Sequence, residues 1–192
     1  EGDRVQTSAT FPPSNPTGVC KNYDLGTTQA FLVHCGEGLD QKSRDEFTTL
    51  GTSSNPAGCL YASGTTITHG TAFTETEFAV MARSKMKLTW SPASNVALYG
   101  DTTDVPTARR LGIEVALAPD WSMGGSQNLL DELRFASNWD REHWQGTLTA
   151  KDVVAMVTTA GANVVALETR IGKIEKGYLA DIAVFGGDIS RP

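Results

Sequence analysis

The stretch Phe31-Leu32-Val33-His34-Cys35-Gly36-Glu37-Gly38 decides the reading of this chain. An apolar run of strand-forming residues stops on a histidine, and a carboxylate follows three residues later in a turn bracketed by glycines. A buried strand whose C-terminal tip carries chemistry has this pattern. It recurs at Thr65-Thr66-Ile67-Thr68-His69-Gly70 and at Val115-Ala116-Leu117-Ala118-Pro119-Asp120, which end on His and Asp. Three strand tips therefore offer two imidazoles and two carboxylates.

Outward from these tips the chain alternates between strand and helix. Strand 29–34 leads to a helix from about Asp40, which can cap it, to Leu50. Strand 65–69 leads to a helix opened by Thr74 and Glu77, which fit a capping box, and closed near Ser84. Residues 87–90 form a third strand, and the helix near 105–111 that follows is terminated by Gly112. Strand 113–118 precedes a helix that starts at Gly125 or Ser126 and runs through Leu129, Leu130, Leu133 and Phe135. Four strand-then-helix units with right-handed crossovers predict neighbouring parallel strands whose functional edge is the C-terminal one. A doubly wound sheet would carry a glycine-rich phosphate loop after its first strand, and none is present, so a β/α barrel fits better.

The flanks read differently. Residues 1–28 include Phe11-Pro12-Pro13-Ser14-Asn15-Pro16-Thr17-Gly18 and are expected to be an extended loop leading into the barrel. Thr149 is a good cap for a final helix over 150–160. Residues 171–185 read as two short strand pieces around a Gly-bearing turn, a hairpin outside the barrel. The expected division is thus a loop over 1–28, barrel over 29–165 and a return into a small β domain over 166–192.

With 192 residues, 40% of them hydrophobic and 20% charged, the chain has the composition of a soluble globular domain. A net charge of -6 and a pI near 5.0 argue against nucleic acid as a partner. No apolar stretch approaches the roughly 20 residues of a membrane span, and the chain reads as cytoplasmic with no membrane partner. Cys20, Cys35 and Cys59 are too few and too irregular for a disulfide framework and read as plain thiols. A Cys20–Cys59 bridge remains the alternative for an exported parent protein.

A divalent cation accepts imidazole nitrogen and carboxylate oxygen, and a catalytic site needs about three protein ligands with room for water. His34, His69 and Asp120 supply that set, because parallel strands bring their tips together. Glu37, one turn beyond His34, is placed to move a proton at the water without itself being a ligand. Trp90-Ser91-Pro92-Ala93-Ser94-Asn95 offers hydroxyls and an amide to a substrate pocket, or else forms a structural turn. Glu46 and Glu75 read as ordinary surface or capping charges, and His143 as a surface histidine.

The ordered set resembles the amidohydrolase superfamily, in the branch of the cytosine and guanine deaminases and the triazine chlorohydrolases. His34-Cys35-Gly36-Glu37-Gly38 is similar to the family's fifth-strand metal histidine and acid/base glutamate, and His69-Gly70 to the sixth-strand histidine. Trp90 to Asn95 with Leu98-Tyr99-Gly100 is similar to the seventh-strand turn, and Asp120-Trp121 to the eighth-strand aspartate. Ile171-Gly172 through Gly177, with Ala180-Asp181, resembles the return into the small β domain. The resemblance implies His34 and Asp120 as metal ligands, and His69 as a further ligand or as a contact to the attacking water. It also implies Glu37 as proton shuttle and Trp90, Ser91, Asn95 and Trp121 as part of the substrate wall. One divalent metal is implied, zinc before iron, with a small heterocyclic substrate attacked at a ring carbon that bears an amine or a chloride.

The family's first-strand His-x-His pair has no counterpart here. The expectation is therefore the C-terminal half of a barrel, without full activity by itself, whose open edges meet a missing N-terminal half or a second copy. Two other readings compete: a non-catalytic α/β module that pairs through its sheet edges, and a cyclic-amide hydrolase from another amidohydrolase branch. The position of Glu37 argues against the latter.

Overall fold

The computed structural model describes residues 4–187. Five strands, β1 (Val5–Ser8), β2 (Ala30–Cys35), β3 (Thr65–His69), β4 (Lys87–Trp90) and β5 (Val115–Leu117), form one sheet in the order β1-β2-β3-β4-β5. Every neighbouring pair is parallel. The helices are α1 (Pro16–Asp24), α2 (Gln41–Thr52), α3 (Glu75–Arg83), α4 (Pro92–Tyr99), α5 (Val105–Arg110), α6 (Leu129–His143), α7 (Ala150–Val157) and α8 (Thr159–Val164). Strands that follow one another in space as in sequence are consecutive staves of a β/α barrel, whereas a doubly wound sheet reverses its order. The α/β class and the barrel-type topology agree with the sequence.

Local rules explain most elements. The Asp40 side chain accepts from Ser43 N at the start of α2, and Thr74 with Glu77 forms the expected capping box at α3. Along β2, Phe31, Val33 and Cys35 join a core with Phe47 and Leu50 of α2 and Phe78 and Met81 of α3, and Ile67 and Leu88 extend it across the sheet. The alternating residues look the other way. On that second face Thr89 Oγ1 lies 3.1 Å from Thr68 Oγ1, and Thr66 donates to the Val164 carbonyl at 3.3 Å. Ala116 of β5 packs there against Ala160 and Val164 of α8, while Val115 and Leu117 share the first core with Met156 of α7. The two last helices thus cover both faces of β5.

Several expectations are corrected. Residues 1–28 are not a continuous loop, since they contain β1 and α1 and raise the strand count to five. β1 is the short polar run Val-Gln-Thr-Ser, which has little strand signal of its own and gains its ladder from β2, Val5 against Ala30 through Ser8 against Val33. Pro16 opens α1 instead of breaking the chain: it occupies the first turn, where no N–H is needed, and Asn15 caps it by accepting from Gly18 N at 3.0 Å. The segment read as a turn after Trp90 is helix α4, again opened by a proline.

Cys20 of α1 is bridged to Cys59, with Cα atoms 6.0 Å apart, so only Cys35 is a free thiol. The expected hairpin over 171–185 is not formed, and the described residues beyond 170 hold no strand. Ile174 and Val184 are 88% and 92% exposed there, and two strands with no apolar face to cover have little to hold them together.

Candidate active site

Three strand tips converge as the alternation required. One donor atom from each of His34, His69 and Asp120 lies within 4.8 Å of the others. His34 Nδ1 is 3.2 Å from the carbonyl oxygen of Ser8, which only accepts, so Nδ1 carries the hydrogen and Nε2 keeps a lone pair for the site. The end of β1, absent from the sequence reading, thus orients the first imidazole.

His69 reaches the site by a backbone distortion. It pairs in register with Cys35, whose side chain lies in the core, so strand alternation alone would send both side chains the same way. His69 instead adopts φ 75°, and its ring centroid lies 4.9 Å from that of His34. Asp120 is likewise left-handed, at φ 60°. Such residues cost about 1–3 kcal/mol each and persist where the surroundings hold them.

Helix α4 and the turn after it supply much of that hold. Ser94 donates to Asp120 Oδ2, Asn95 Nδ2 lies 3.1 Å from His69 Nδ1, and Tyr99 donates to Glu37 Oε1 at 3.1 Å. Thr103 adds a 2.6 Å bond to the His69 carbonyl. Glu37 Oε1 stands 3.8 Å from His69 Nε2. The turn that carries Glu37 is fixed by Gly36, whose N–H donates to Glu46 at 2.8 Å and whose φ is 72°. A Cβ at Gly36 would come within 2.2 Å of the Phe73 ring, so the position demands glycine. Glu46, read from sequence as a surface charge, is therefore a brace of the site.

The expected substrate wall is only partly there. Trp90, Ser91 and Asn95 are 0%, 1% and 0% exposed, which places them behind the site instead of facing a ligand. The Trp90 indole donates to Thr102 and its ring lies 5.4 Å from that of Trp144 in the core. Trp121, beside Asp120, is half exposed. Thr102 and Thr103 are supporting residues that sequence reasoning missed, and Ser94, Tyr99 and Glu46 were given no supporting role by it. The one local clue was Ser91-Pro92, a helix-start signal.

Burial pulls the His69 pKa down and so favours a neutral ring, against the opposing pull of the Glu37 charge. Burial, then the Glu37 charge, pushes Tyr99 up to about 12, so its hydroxyl stays a donor. Burial also raises the Cys35 thiol well above its usual range, which keeps it inert. The His34 imidazole and the Asp120 carboxylate converge and suit a divalent cation, and the buried Nε2 of the neighbouring His69 has no hydrogen-bond partner.

Parallel barrel staves with His, His and Asp at their tips accord with the family assignment: residues 30–192 match the Amidohydrolase family, and the chain belongs to it. Among its relatives is a 5-methylthioadenosine/S-adenosylhomocysteine deaminase of Thermococcus onnurineus (strain NA1), 30% identical over 129 residues, which are 66% of this chain and 30% of that protein. The structure is similar to a zinc-bound adenosine deaminase from Xanthomonas campestris, with a TM-score of 0.78 at 20% identity over 92% of this chain and 42% of the other. It is also similar to the zinc complex of an atrazine chlorohydrolase from Arthrobacter aurescens TC1, with a TM-score of 0.72 at 18% identity over 91% and 40% of the two chains. At these identities the structural likeness shows the fold. The chain spans about 30% of the length of the curated relatives it matches.

Proposed function

We propose that this chain carries part of the site of a metal-dependent hydrolase of the deaminase type, which replaces the exocyclic amine of a small heterocycle with oxygen and releases ammonia. The convergence of His34, His69 and Asp120 beside Glu37 carries this reading. The deaminase names of the curated relatives favour a C–N over a C–Cl bond. His34, through Nε2, and Asp120 would hold one divalent cation, zinc or iron. When bound, such a cation makes a water molecule acidic enough to serve as nucleophile near neutral pH.

The remaining work falls to the chain's own residues. Glu37 takes a proton from the water and returns it to the leaving nitrogen, and Tyr99 holds Oε1 in place while it does so. Ser94 engages Oδ2 of Asp120 and leaves Oδ1 for the cation. Trp121 offers an apolar face to a flat ring.

Elemental analysis of protein purified without added metal or a histidine tag tests the site. Zinc or iron that falls sharply in His34→Ala and in Asp120→Ala is expected, and a content indifferent to both substitutions overturns the assignment. In the whole enzyme, Glu37→Gln should keep the metal and lose ammonia release by at least about 100-fold, the scale of a general acid–base group.

A further inference from the structure

Trp90, Thr102, Asn95 and His69 form a chain of hydrogen bonds whose direction is set at its far end. An indole N–H only donates. Trp90 Nε1 donates to Thr102 Oγ1 at 2.8 Å, and the Thr102 hydroxyl hydrogen goes on to Asn95 Oδ1 at 3.2 Å. With its oxygen engaged, Asn95 presents Nδ2 to His69 Nδ1 at 3.1 Å, and an amide nitrogen only donates. His69 Nδ1 must therefore accept. Turning the Asn95 amide over would put two donors on Thr102 Oγ1 and strand the hydroxyl hydrogen, and a buried donor left unpaired costs about 1–3 kcal/mol. Trp90, Asn95, His69 and Thr102 are all buried, so water is a poor substitute for any link.

We propose that the Trp90–Thr102–Asn95 chain is what holds His69 as its Nε2–H tautomer, and so selects, of the two roles the family resemblance leaves open for this ring, the contact to water over the metal ligand. An imidazole nitrogen that bears hydrogen has no lone pair to give a cation. His69 Nε2 is buried and without a partner, and the 3.8 Å to Glu37 is too long for a hydrogen bond, so its N–H is left for an oxygen of water or substrate. The two imidazoles then have opposite tautomers and separate tasks: His34 ligates through Nε2, and His69 donates through Nε2–H. Asn95, Thr102 and Trp90 are positioning residues, which act through His69 and touch no substrate. The proposal refines the hydrolase reading and rests on it for its purpose, but the tautomer is read on the metal-free chain, so either can fail alone.

The test is a long-range proton–nitrogen correlation spectrum of the chain carrying 15N-histidine, freed of metal, at about pH 8, where imidazoles with an unperturbed pKa near 6.5 are neutral. There are three histidines, and His143→Gln and His34→Gln assign their signals. His69 is expected to show a protonated Nε2 and a bare Nδ1, and His34 the reverse. A hydrogen on His69 Nδ1 in the unsubstituted chain overturns the proposal without any variant. Asn95→Asp, whose carboxylate only accepts, should move the hydrogen to Nδ1, whereas a folded Asn95→Asp chain that keeps Nε2–H also overturns it.

Discussion

Tyr99 and Glu37 lie 62 residues apart in sequence, and their hydrogen bond places the phenol on the carboxylate to which we assign the proton transfer. Tyr99→Phe removes this restraint with little change in volume. A hydrogen bond to a charged group contributes about 1.5–3 kcal/mol, and tenfold in rate is about 1.4 kcal/mol, so kcat in the whole enzyme should fall about tenfold or more. Steady-state ammonia release measures it, and a kcat within about twofold of the original would mean that Glu37 is held by other groups. His34, Glu37, His69 and Asp120 were legible because a polar residue that ends an apolar strand is a local signal. Tyr99 and Ser94 were not, since nothing in the surrounding sequence marks the partner they find across the sheet.

Helix α4 brings three of its eight residues to three different site residues, and its ends are the places to disturb it. Gly100 closes it at φ 77°, with its N–H bonded to the Val96 carbonyl at 2.9 Å and open space where a Cβ would stand. The cost of Gly100→Ala is then conformational alone, about 1 kcal/mol, and should appear as a lower urea midpoint at unchanged slope. At the other end the buried Glu132 of α6 accepts from Ala93 N at 3.1 Å.

Burial first, and the Asp120 charge among the smaller causes, raise the Glu132 pKa above its ordinary 4.5. The folded chain therefore binds this proton more tightly than the unfolded one. Its contribution is full below the ordinary carboxylate pKa and is lost as pH rises through the folded value. Glu132→Gln should remove that slope, so the stability of the metal-free variant relative to the original should increase between about pH 4 and pH 8. Urea titrations across that range check this, and a difference independent of pH contradicts it. The sequence could not present α4 as a helix by pattern, because its buried positions Pro92, Ser94 and Asn95 form no apolar stripe.

For the molecule as a whole, the Cys20–Cys59 bridge ties α1 to the segment beyond α2 across 39 residues. Closing a loop of that size removes unfolded-state entropy worth about 4 kcal/mol in the chain-entropy model. Reduction should therefore lower the unfolding free energy by about 2–4 kcal/mol, measured by urea titration with and without reductant. An unchanged midpoint would show that the bridge does not constrain the unfolded chain. β1 and β5 end the sheet, each with one strand neighbour among the described residues, and α7 and α8 pack on both faces of β5. That packing buries apolar surface beside an edge strand that would otherwise invite a partner.

By itself the sequence determined the succession of parallel strands, the helix caps and the polar residues at the strand tips. These follow from periods of two and 3.6 residues and from hydrogen bonds that span three or four positions. Only the tertiary structure decided that Val5–Ser8 is a strand, that the His69 backbone turns its ring toward His34, and that Cys20 meets Cys59. It also decided that α4 holds Asp120, His69 and Glu37 from behind. Each of these depends on a partner distant in the chain, and a contact of that kind leaves no mark on the residues beside it.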